Sequence, residues 1–139
     1  MGIAGYYAMT QRLAQIALLV REYDEAIAFY RDMLGFTLIE DTDRGSGKRW
    51  VRLAPPGSSG VELLLARAVT DEQRSRIGNQ TGGRVFLFLE TDDFDRDYET
   101  YRRLGIRFIR PPSVEAFGKV SVLEDLYGNK IDLIEPPSD

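Results

Sequence analysis

Histidine and cysteine are both missing from this 139-residue chain. Imidazole and thiolate are the ligands that select zinc, nickel, copper or iron, so any metal held here rests on oxygen donors, which suit magnesium, calcium or manganese. The same absence excludes disulfides, cysteine nucleophiles, serine–histidine pairs, haem histidines and thiolate clusters. Carboxylates, lysine, tyrosine and a bound metal or water remain as proton movers. Long apolar runs are also lacking, and none approaches the roughly 20 residues that span a bilayer, so no membrane partner is expected. The opening segment 1–10 has neither a basic start nor a cleavage-site pattern, and a cytoplasmic location is the expectation. A basic excess is missing too: the net charge is −4. Nucleic acid is therefore not an expected partner, and Arg102, Arg103, Arg107 and Arg110 read as a solvated helix face and edge strand.

What is present suits one globular domain, with 43% apolar and 29% charged residues. Residues 13–20 form a short apolar run of strand length. Residues 24–34 switch to helical spacing, with Ala26, Ile27, Tyr30, Met33 and Leu34 on one face, Asp24 as N-cap or first-turn acid, and Gly35 placed to end the helix. Strands are predicted to begin at 36–40 and to cover 49–53 and 61–66. The order then repeats, with a strand at 84–90, a helix at 94–104, and strands at 107–109, 119–123 and 130–134. Tyr30 to Phe36 matches Tyr101 to Ile106, and Asp24 matches Asp95. Between the halves lie a short helix candidate, 70–77, capped by Thr70, and a turn-rich stretch, 78–83. The pattern predicts an α+β fold of two βαβββ modules with pseudo-twofold symmetry, forming a curled sheet around a central cleft. Module one covers about 11–66, the linker about 67–83 and module two about 84–135.

Strand alternation sorts the side chains by face. Ile16, Leu18 and Val20, Val61, Leu63 and Leu65, Val85, Leu87 and Leu89, and Ile131 and Leu133 form the core sets. Gln15, Glu62, Phe86 and Asp132 then lie on the cleft side, paired by the repeat. A carboxylate in an apolar strand requires water, a cation, a ligand or a partner such as Lys48 or Arg52, and a wet strand face is the competing account of Glu62. Asp132 follows the turn 125–129, where acids and asparagine serve the backbone. Trp50 and Arg52 alternate with Val51 and Leu53, so the cleft receives an indole and a guanidinium suited to a planar or anionic ligand, unless the tryptophan is simply core. Phe86, Phe88, Phe117 and Tyr127 are candidates to line the same pocket or to fill the inner sheet.

These residues resemble the vicinal oxygen chelate superfamily, which includes glyoxalase I, bleomycin-resistance proteins and extradiol dioxygenases. The resemblance is carried by Ile16 to Tyr30, Leu34-Gly35-Phe36, Thr91 to Asp95 and Asp125 to Leu133, and covers nearly the whole chain. It implies that the family's four metal positions fall on Gln15, Glu62, Phe86 and Asp132. Phe86 cannot coordinate. The resemblance thus implies a degraded metal site without a strong cofactor, at most a weakly bound divalent cation on Gln15, Glu62 and Asp132. The leading expectation is a bleomycin-resistance-like protein binding a small organic ligand among Gln15, Trp50, Arg52, Glu62, Phe86, Phe88, Phe117, Ser121, Tyr127 and Asp132. The alternative is a metal-dependent lactoylglutathione-lyase-like or dioxygenase-like enzyme with Glu62 or Asp132 as base. A homodimer is the expected assembly.

Overall fold

The computed structural model describes residues 9–138, so residues 1–8 of the opening segment lie outside it. The first module runs β1 (Gln15–Val20), α1 (Tyr23–Ile27, continued by π-helical turns over Ala28–Met33), β2 (Thr37–Gly45), β3 (Lys48–Ala54) and β4 (Glu62–Arg67). After α2 (Asp71–Ser75), the second runs β5 (Val85–Glu90), α3 (Phe94–Arg103), β6 (Phe108–Glu115), β7 (Gly118–Glu124) and β8 (Lys130–Glu135). Two four-stranded mixed sheets result, ordered β1-β4-β3-β2 and β5-β8-β7-β6. This is the α+β architecture the repeat predicts.

Each helix begins and ends for local reasons. Thr70 and Asp93 accept the backbone N–H of Gln73 and Arg96 and so cap α2 and α3, whereas Asp24 serves α1 as a first-turn acid. The helices α1 and α3 stop at Gly35 and Gly105, which carry positive φ of 80° and 86°. The two stretches differ by one residue, and the extra one is absorbed as a π turn: Leu34 N–H bonds Phe29 O, five residues back. An alanine at Gly35 has open space but the wrong backbone region. Gly35→Ala is expected to lower stability by about 1–2 kcal/mol, read from a urea midpoint at unchanged slope.

Two strands extend beyond the sequence expectation. The strand β2 continues from Glu40 to Gly45 although its far half is charged, because it pairs with β3 through Asp43 and Arg49. The edge strand β6 passes through Pro111 and Pro112, which it tolerates because both fall in a register irregularity between Arg110 and Ser113, where neither has a ladder partner on β7.

One buried cluster joins both modules. Leu18, Val20, Val51, Leu53, Leu63 and Leu65 of the first sheet meet Tyr30 and Phe36, and the same cluster contains Phe94, Tyr101, Leu123, Ile131 and Leu133. Polar ties run between the modules. Tyr30 O–H donates to Asp125 at 2.6 Å, Tyr127 O–H to Glu25 at 2.6 Å, and Tyr101 O–H to the Leu34 carbonyl at 3.2 Å. The linker is fixed as well. Gln80 accepts from Leu19 N–H and donates to Ala17 O, imitating a neighbouring strand on the free edge of β1, and a side chain at Gly78 would overlap the Tyr127 carbonyl.

Candidate functional site

The outer face of the first sheet carries a connected polar row. Gln15 and Glu62 are register partners on adjacent parallel strands, and the Gln15 amide donates to Glu62 Oε1 at 3.3 Å. Arg52, diagonal to Glu62 across β3 and β4, donates Nη1 to the same oxygen at 3.1 Å. Its Nε lies 3.2 Å from Glu40 Oε1, and Thr42 O–H donates to the other oxygen of Glu40 at 2.7 Å. The partner that Glu62 requires is therefore Arg52, and Lys48 is not in contact with it among the described ion pairs. Arg52, Glu62 and Glu40 keep 24%, 20% and 31% of their side-chain surface, so the row is half-desolvated and open to a ligand on one side. The Arg52 Nε–H is buried and points off the Glu40 oxygen, leaving a close charge contact and a donor without an acceptor among the described residues.

Farther along the same face, Trp50 lines a groove of about 660 Å³ with Leu19, Leu64 and Ala66. Val51 and Leu53 are fully buried on the opposite face, so the alternation predicted for β3 holds and Trp50 is not core. Arg44 lies over the indole at 5.8 Å.

The second sheet does not reproduce this row. Phe88, rather than Phe86, is the register partner of Asp132, because an irregularity between Val85 and Leu87 slides β5 along β8. Phe86 packs against the core cluster, whereas Phe88 is 68% exposed. Burial raises the Asp132 carboxyl above its ordinary pKa of 3.8, with the Arg110 charge opposing the shift. A carboxyl that resists ionisation in the fold contributes stability that is complete below its unfolded pKa and is lost as pH rises through the folded one. Asp132→Asn is accordingly expected to unfold at a higher temperature than the parent at pH 7, and the two curves to converge near pH 3.

Three residues assigned to the cleft lie elsewhere. Ser121 is 1% exposed beside Leu133 on the core side, where its hydroxyl donates to the Arg110 carbonyl at the proline irregularity of β6. Tyr127 sits beneath α1 as a tie between modules, its phenol pushed above the usual value by burial and by the Glu25 carboxylate. Phe117 occupies the β6–β7 turn and is 59% exposed. Glu40, Thr42, Arg44 and Arg67 were missed. The alternation Leu38, Glu40, Thr42 against Ile39, Asp41 was the available signal for the first two.

Gln15 and Glu62 touch, but no hydrogen bond or ion pair among the described residues joins them to Asp132, and no group of three His, Cys, Asp or Glu side chains suited to a metal occurs among those residues. Glu62 is instead engaged by a guanidinium, and Gln15 presents nitrogen to it.

The chain belongs to the Glyoxalase/Bleomycin resistance protein/Dioxygenase superfamily, whose profile matches residues 12–133. It is 58% identical over 128 residues to an uncharacterized protein of Shewanella frigidimarina (strain NCIMB 400), covering 91% of this chain and 95% of the other. Among solved structures, UcmS2 superposes with a TM-score of 0.79 at 28% identity, over 91% of this chain and 98% of that one. TnmS3, an antibiotic binding protein from Streptomyces sp. CB03234, follows with a TM-score of 0.73 at 26% identity, over 94% and 98%. No helix among the described residues is long and apolar enough to cross a membrane.

Proposed function

We propose that this protein binds a small organic molecule on the outer face of its first sheet without requiring a metal. The observation that carries the reading is the row Gln15–Glu62–Arg52–Glu40, in which the family's surviving glutamate is already paired with Arg52. A carboxylate held this way is a poor metal ligand, because a cation entering at Glu62 would meet the guanidinium charge at contact distance. Arg52 keeps 24% of its side-chain surface, so part of its guanidinium remains for a ligand to meet. The adjoining apolar groove beside Trp50 supplies area, as small-molecule sites do with a few polar groups at their edge. Antibiotic binding by a protein of this fold at 26% identity is consistent with the same use of the scaffold.

A second copy of the chain completes the site in this reading. Phe88 stands out from the second sheet beside a carboxyl already partly desolvated, an arrangement suited to cover by another protomer. Sedimentation equilibrium on the purified chain is expected to return twice the chain mass.

The test of binding is a ligand-observed NMR screen of fused-ring aromatic compounds against protein dialysed with EDTA. Hits are expected that are weakened by Arg52→Gln and unaffected by added manganese or zinc. Binding that appears only after metal is returned would overturn the reading.

A further inference from the structure

The hairpin end of the proposed cleft concentrates positive charge. A protein of net charge −4 places Arg44, Lys48, Arg49 and Arg67 around the groove, and none of the lining side chains is acidic. These cations are not equivalent. Arg49 is committed to Asp41 at 2.6 Å and Asp24 at 2.8 Å, and Arg67 has only a long contact, 3.9 Å, with Glu22. Arg44 and Lys48 have no ion pair among the described residues, although both border the same opening. Backbone geometry brings the charges together. Gly45, Ser46 and Gly47 form a tight turn with φ of 84°, 56° and 80°, and a side-chain carbon at Gly47 would stand 3.2 Å from the Arg67 guanidinium. The glycine thus leaves room for Arg67 to lie against the turn. Beneath this rim the floor is apolar, formed by Leu19, Leu64 and Ala66, with Trp50 as a wall.

We infer that the ligand is a planar aromatic anion, its ring laid along the Trp50 groove and its acidic group paired with Arg44, Lys48 and Arg67. The inference rests on the binding reading above and adds the ligand's charge and the end of the cleft at which that charge sits. Uncompensated guanidinium and ammonium groups at the mouth of an apolar groove favour a carboxylate over its uncharged counterpart, and the aryl plane matches the indole wall. A cationic aromatic ligand is disfavoured by the same charges.

Trp50 is the only tryptophan, so the chain gives a single indole N–H signal at the site. Titrating nitrogen-15-labelled protein with naphthalene-2-carboxylate and, separately, naphthalene-2-carboxamide reads both questions from that signal. Saturable shifts are expected with both, with the carboxylate bound about tenfold more tightly. The variant carrying Arg44→Glu and Lys48→Glu is expected to lose this preference while still binding the carboxamide, and its remaining amide spectrum reports that it is folded. Equal affinity for the two compounds, or a preference that survives charge reversal, overturns the anion assignment and leaves cleft binding standing. No shift of the indole signal with either compound overturns both.

Discussion

Replacing Asp125 by alanine is expected to destabilise the protein by about 3–5 kcal/mol, lowering its melting temperature by about 10 °C or more. Asp125 is 5% exposed and accepts four hydrogen bonds: from Tyr30 O–H at 2.6 Å, and from Tyr127 N–H, Asn129 N–H and Asn129 Nδ2 at 2.9 Å each. Three of these shape the β7–β8 turn, which is the backbone role expected of an acid at that position. The fourth reaches from the second module into the first, where Tyr30 is fully buried between Phe29 and Phe36. Alanine strands three donors in buried positions, Tyr30 O–H and the two Asn129 groups, and a fourth, Tyr127 N–H, in a partly buried one. Tyr30→Phe removes only one bond and is expected to cost about 1–2 kcal/mol. A double-mutant cycle between the two, measured by urea unfolding, should give a coupling of about 1 kcal/mol or more. Strict additivity would mean that the tyrosine does not tie the modules through Asp125.

The second large effect concerns the polar row. Arg52→Ala is expected to lower stability by about 2–3 kcal/mol at neutral pH, because Glu40 and Glu62 would lose their shared cation while remaining half-buried on the same sheet face. The partial exposure of all three groups keeps the figure below that of a fully buried triad. Adding Glu62→Gln to Arg52→Ala should recover part of the loss, since one of the two orphaned charges is then gone. Calorimetric melting of the parent, the single variant and the double variant checks this. A double variant less stable than Arg52→Ala alone would contradict the account of Glu62 as a charge held by Arg52.

The fold was legible in the chain because the repeat preserves helix ends, and these are set by residues with few substitutes. Gly35 and Gly105 end α1 and α3 in the left-handed region. Even the one-residue mismatch between the Tyr30 and Tyr101 stretches has a physical meaning, the π turn at Leu34. Half of the site was equally legible. Gln15, Trp50, Arg52 and Glu62 stand in strands whose other face is strongly apolar, so alternation fixes their direction.

The other half depended on features that alternation does not encode. A register irregularity at Phe86 hands the place beside Asp132 to Phe88. The strand β7 has buried residues on both faces, so its pattern carries no phase, and Ser121, expected in the ligand cleft, turns its hydroxyl to a carbonyl inside. Charges and turn formers hid the far half of β2, and with it Thr42 and the cationic hairpin.

Isothermal titration of EDTA-treated protein with magnesium, manganese, nickel and zinc tests most directly the claim that Arg52, and not a metal, answers the Glu62 charge. The account predicts no stoichiometric binding of any of the four ions at micromolar concentration, and the same flat response from Glu62→Gln. Tight binding of one ion per chain that Glu62→Gln abolishes would contradict it.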